Sequence, residues 1–186
     1  AVNDGWVLES TETSGVGGSL NNTATTFILG DDAANKQYRA ILHFDTSSLP
    51  DWAIITSATI KIQQLGQVGS NPFNVLGSLS VDIRKPYFSS TVDLTNNDFQ
   101  AGVSQASLAT FNETPTGAWY SAILNAGGIT KINLTGTTQF RLYFTTDDNN
   151  DLGADYFTFI SGDAASAANR PQLIIKYFIP YDSPIP

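Results

Sequence analysis

Apolar and polar residues alternate with period two along most of this chain, the pattern of half-buried strands rather than helices. In QYRAILHFD, Ala40, Leu42 and Phe44 fall on one face and Arg39, Ile41, His43 and Asp45 on the other. The same alternation marks residues 6–9, 25–29, 37–45 and 55–63. It recurs at Leu79, Val81 and Ile83, and at Phe140, Leu142 and Phe144. Phe157 and Phe159, then Leu173, Ile175 and Tyr177, close the series. With weaker stretches around Trp119 and Ile132, the pattern predicts about nine strands at the spacing of a sandwich. Turn residues punctuate them, as at Gly30-Asp31-Asp32 and Thr46-Ser47-Ser48-Leu49-Pro50.

One segment reads as helix. Thr95 is a cap, residues 96–102 make about two turns, and Gly102 ends them. The Gly/Asn/Ser-rich stretch 66–77 reads as a long loop. No linker or internal repeat divides the chain. The expectation is one all-β domain over residues 1–186, a jelly-roll-like sandwich of two antiparallel sheets with one short helix.

Charge narrows the function. Nine Lys and Arg against 17 Asp and Glu leave a net charge of −8. That balance argues against nucleic acid, whose phosphates need a positive footprint. No apolar run approaches the roughly 18 residues of a membrane span, so no membrane insertion is expected. Cysteine is absent, which removes disulfides, thiol nucleophiles and Cys-based zinc sites. His43 is the sole histidine. It is a general base or a plain strand residue, and no serine elbow accompanies it. The glutamates Glu9, Glu12 and Glu113 sit in no hydrolase motif. The expectation is a protein that is not an enzyme.

Two blocks of sequence carry a family resemblance. In YRAILHFDTSSLPDWAIITSATIKI, Phe44-Asp45 leads into Ser47-Ser48-Leu49-Pro50 and then Ile55-Thr56-Ser57-Ala58-Thr59-Ile60. Near the end, FISGD at 159–163 precedes Arg170-Pro171-Gln172-Leu173-Ile174-Ile175-Lys176-Tyr177. With Asp4-Gly5-Trp6-Val7 at the start, the chain resembles the DNRLRE-type domain over roughly residues 4–178. The resemblance implies a jelly-roll β-sandwich of secreted and surface-attached microbial proteins. Such modules accompany hydrolases or adhesive domains, and some relatives bind acidic polysaccharides. They are not themselves catalytic, and the family fixes no functional residue that transfers by position.

Three groups of residues are candidate sites. DDNNDLGAD, residues 147–155, is the densest cluster of oxygen ligands. Asp147, Asn149 and Asp151 stand at i, i+2 and i+4, and with Asp155 they could converge on a structural calcium ion. The other reading is an Asx-rich turn. Asp31-Asp32 is a second, weaker candidate. The second group is aromatic: Trp52, Tyr87, Trp119 and Tyr120 could stack on sugar rings or pack as core. The third is the pair of tails, 1–4 and 179–186, read as ordered against a neighbouring surface. Ala1, Val2, Asn3, Tyr181 and Ile185 are the assembly candidates there. The absent initiator Met marks a processed chain or an excerpt.

The functional expectation is a secreted structural or adhesive subunit of a cell surface or extracellular filament. It would meet copies of itself or other surface proteins through its tails or edge strands. The alternative is a carbohydrate-binding accessory module that holds a partner near a polysaccharide.

Overall fold

The computed structural model describes residues 2–180. Its strands are β1 (Gly5–Glu9), β2 (Gly17–Asn21), β3 (Thr26–Asp31), β4 (Gln37–Asp45), β5 (Ile54–Val68) and β6 (Leu79–Arg84). They continue with β7 (Gln105–Thr110), β8 (Trp119–Ile123), β9 (Thr137–Phe144), β10 (Tyr156–Ile160) and β11 (Gln172–Phe178). Every pairing is antiparallel. The order β11-β5-β10-β3-β4-β9-β6-β7 runs through one hydrogen-bonded path, with β1 on β4, β2 on β1 and β8 on β5. The molecule is all-β, and its sheet curls into a nearly closed, barrel-like form.

The strand β5 makes that curl. Residues 54–61 pair with β11 and residues 59–63 with β8. Residues 64–68 then pair with β10. The strand therefore runs on past Gln63, where alternation predicted it would stop, because β10 offers the continuation a partner. Only the far part of the expected loop is irregular, and it holds a four-residue helix, α1 (Pro72–Val75), capped by Asn71 Oδ1 on the Phe73 N–H at 3.0 Å.

Other expectations need correction. The helix read at 96–102 is a single 3-10 turn, Asn96–Phe99. A second 3-10 turn lies at Ala167–Asn169, and a second helix, α2 (Ala126–Ile129), precedes Ile132. One short helix thus becomes two four-residue α-helices and two 3-10 turns among the described residues. Ile132 is no strand, yet its side chain enters the core. The polar strands β2 (GGSLN) and β7 (QASLAT) lack the alternation that would have revealed them.

The interior is one apolar cluster fed by almost every strand. Phe27 and Leu29 of β3, Ala40 and Leu42 of β4, and Ala58, Ile60 and Ile62 of β5 enter it. Val81, Tyr120, Phe140, Phe144, Phe157 and Phe159 complete its centre. The rings interlock: Phe27 stacks on Phe159 at 5.3 Å between centroids, and Phe73 of α1 packs on Tyr120, Phe144 and Phe157. Each fully buried ring stabilises the fold by about 1.5–3 kcal/mol through lost water contact.

A smaller second core lies on the opposite face of the same sheet. Val7 of β1 and Ile41 of β4 meet Phe88, Leu94 and Phe99 from the irregular segment 85–104. One outer face of the sheet is therefore covered by the chain itself.

Candidate functional site

The covered face is held by polar side chains at outward strand positions. Arg141 of β9 donates through Nη2 to Asp82 Oδ2 of β6 at 2.6 Å. Its Nη1 donates to the carbonyls of Asp98, Phe99 and Ala101 at 3.1, 3.1 and 2.9 Å. Asp82 Oδ1 accepts the Ser107 N–H at 2.9 Å. Arg39 of β4 donates to the Phe99 carbonyl at 2.7 Å and lies 4.0 Å over the Phe99 ring. Gln139 accepts the Phe88 N–H at 2.9 Å and donates to the Val92 carbonyl at 2.9 Å. Burial, helped by the charge of Arg141, lowers the Arg39 pKa to about 10. These groups satisfy backbone that has no strand partner, so an irregular segment can lie flat on the sheet.

The face formed by β11, β5 and β8 has no such cover among the described residues. Register aligns Ile174 with Thr59 and Ile123, and Gln172 with Lys61 and Ser121. Ile123 is 71% exposed and Ile174 44%. Tyr177, Phe178 and Ile179 are exposed at the end of β11, whose second edge pairs with no described strand.

The aromatic candidates do not form one platform. Tyr120 is buried in the interior, because its position in β8 points inward between Phe73 and Phe157; it has no face for a sugar. Trp119, its neighbour, points outward, with the Lys61 ammonium 5.1 Å from its ring. Trp52 is exposed in the turn before β5. Tyr87 is half-buried in the segment over the covered face. Of the tail candidates, Ala1, Tyr181 and Ile185 lie outside the described residues. Val2 and Asn3 are tied to their own chain: the Val2 carbonyl accepts the Leu94 N–H at 2.9 Å, and the Asn3 carbonyl accepts Gln139 Nε2 at 3.4 Å.

At one end of the sheet, the turn 147–155 folds against β3. Asp31 and Asp155 are joined by two hydrogen bonds: the Asp31 N–H donates to the Asp155 carbonyl at 3.1 Å, and the Asp155 N–H donates to the Asp31 side-chain Oδ1 at 3.0 Å. Gly30, at φ +137°, lets the strands close here, since a Cβ would collide with the Asp155 carbonyl. Asn149 Nδ2 bridges Asp151 Oδ2 at 3.1 Å and Asp155 Oδ2 at 2.8 Å. Asp147 and Asp151 are exposed, whereas Asp148 and Asp155 are buried. Of the four ligands expected from spacing, Asn149, Asp151 and Asp155 are thus linked and Asp147 stands outside. Among the described residues, no three His, Cys, Asp or Glu side chains group tightly enough to hold a metal by themselves.

His43 and Asp4 line a small pocket of about 190 Å³ with Phe44, Gly162, Arg170 and Pro171. Burial lowers the His43 pKa, against the pull of Asp4 and Asp45. Burial raises that of Asp4, which accepts the Gly162 N–H at 3.1 Å. Among the described residues, no hydroxyl nucleophile and no second acid line this pocket.

Compared with known proteins, the chain matches no family model and no curated sequence. The residues that sequence reasoning missed are Asp82, Arg141, Arg39 and Gln139. Their outward positions in alternating strands read as solvent-facing.

Proposed function

We propose that the chain is a non-catalytic structural or adhesive subunit of an extracellular surface or filament, built on a jelly-roll-related scaffold. It meets a second copy of itself through the open face and free edge of β11. The observation that carries this reading is the contrast in cover. One outer face is closed by the chain's own segment 85–104. The other leaves Ile123, Ile174 and Phe178 in water beside a strand edge with no described partner. An exposed apolar edge strand is a template for strand addition, and proteins that do not use one protect it with charge or a bulge. Here Lys176 is the single charge on β11, and the pairing of β11 with β5 shifts register only between Lys176 and Tyr177, leaving residues 172–176 regular. Light scattering of the full chain against a Phe178→Asp variant tests this. Assemblies in the parent that the variant loses support it, and equal mass for both overturns it.

A carbohydrate-binding role rests on one specific feature. Trp119, Lys61 and Gln63 lie together on the open face, an aromatic plane flanked by hydrogen-bond donors that suits a sugar ring. Affinity electrophoresis over a glycan panel separates the readings: retardation lost in Trp119→Ala favours the sugar, and unretarded migration removes it.

A further inference from the structure

The acidic corner between β3 and the turn 147–155 has an unmet demand. Asp31, Asp155 and Asp148 are 0%, 3% and 5% exposed. Among the described residues, no Lys or Arg pairs with any of them; Lys36 nearby is engaged with Asp32 at 3.2 Å. Buried carboxylates without a counter-charge are costly.

The three differ in how far hydrogen bonds meet that cost. Asp155 uses both oxygens: Oδ1 accepts the Ser70 N–H and Oδ2 accepts Asn149 Nδ2. Asp148 gives Oδ1 to the Asn150 N–H at 2.8 Å. Asp31 gives Oδ1 to the Asp155 N–H; its Oδ2, fully out of water, makes no hydrogen bond of full geometry, and the Asn149 N–H is the other donor near the carboxyl. Such an orphan oxygen is rare in a folded interior. The Asp31 carboxyl is tied to the turn through the Asp155 N–H, and the charges of Asp155 and Asp148 both act on it.

We propose that Asp31 and Asp148 are the two carboxylate ligands of a calcium site at this corner, completed by main-chain and amide oxygens of the turn 147–155 and by water. The donors at hand are all oxygens, which suits a hard cation and excludes a preference for zinc or copper. Calcium accepts six to eight such ligands in flexible geometry, so two carboxylates with neutral oxygens suffice. Magnesium, which holds its waters in a strict octahedron, fits less well. This site shares the turn with the set expected from sequence spacing, but it replaces the exposed Asp147 and Asp151 by Asp148 and by Asp31, more than a hundred residues earlier.

The corner has another way to relieve its charge, which is protonation. Burial first, and then the charges of Asp155 and Asp148, push the Asp31 pKa up to about 6, against the pull of the Asp155 and Asn149 N–H groups. Burial also raises that of Asp148, with Asp147, Glu12 and Glu9 adding to the rise.

The test uses the full chain, stripped with EDTA, at pH 7.5. Calcium chloride titrated into it should release heat for one site per chain and raise the melting temperature. Asp31→Asn and Asp148→Asn should each weaken binding about tenfold or more, and Asp147→Asn should leave it within about twofold. Either buried-acid variant suffices if the other does not fold. No heat and no melting shift in the parent chain overturns the proposal, even if stability rises on acidification. Equal calcium affinity in Asp31→Asn and the parent overturns it too.

Discussion

The two outer faces of this sheet differ in what covers them. Over β4, β6 and β9, the segment 85–104 lies flat, with Phe88, Leu94 and Phe99 packed on Val7 and Ile41. Arg141, Arg39 and Gln139 bind its backbone. Over β11, β5 and β8, Ile123 and Ile174 face water. The first face shows what this fold requires to cover a sheet with irregular chain: buried donors for each loose carbonyl and an acid, Asp82, to balance the arginine. The second has Lys61 as its inner cation, and that group is engaged by Trp119. A loop of this kind has few anchors there, whereas a regular strand, which brings its own donors and acceptors, needs none.

The largest expected effect comes from breaking the covered face. Arg141→Ala leaves Asp82 buried without its counter-charge and takes the Arg141 donor from the Asp98 and Ala101 carbonyls, while the Phe99 carbonyl keeps Arg39. It should cost about 3–5 kcal/mol in urea unfolding. Replacing Arg141 and Asp82 together by Met and Leu should cost clearly less, because the unpaired charge goes with the pair. If the double variant is the less stable one, the face is held by more than this network.

Next in size is Gln139→Ala, which strands the Phe88 N–H and the Val92 carbonyl. A loss of about 1–3 kcal/mol is expected, read as a shift in the urea midpoint at unchanged slope.

A third prediction concerns pH. The Asp31 pKa is raised from 3.8 to about 6 in the folded chain. The folded state then binds this proton more tightly than the unfolded state, so stability falls as pH rises from about 4 to 6 and levels off above. In calcium-free buffer, Asp31→Asn should flatten that limb of the stability profile. An unchanged slope in the variant would assign the limb to another group.

The smallest effect should come from the open face. Trp52→Ala and Ile123→Thr should each change the stability of the isolated subunit by less than about 0.5 kcal/mol, since both side chains already face water. A large loss from Ile123→Thr would mean that the face is covered after all.

The inner face was legible in the sequence because burial there follows side-chain alternation. Ala40 with Leu42, Ala58 with Ile60 and Ile62, and Phe157 with Phe159 all point inward as the pattern predicted. The outer face was not, because Arg39, Asp82 and Arg141 obey the same alternation and read as solvated; the segment that buries them meets Arg39 and Arg141 across 40–60 residues of sequence. Tyr120 and Trp119 show the limit for sites. Both are aromatic and adjacent, yet one step along β8 sends one to the core and the other outward. The acidic turn was legible as a cluster. Its buried members were not, because Asp31 comes from β3 and meets Asp155 through one main-chain bond and one side-chain bond that no spacing rule encodes.

Sedimentation velocity of the full chain across a hundredfold range of concentration tests the central claim most directly. The account predicts a population of assemblies that grows with concentration and disappears in a variant carrying both Ile174→Lys and Phe178→Asp. A single monomer peak for the parent chain at every concentration would contradict it.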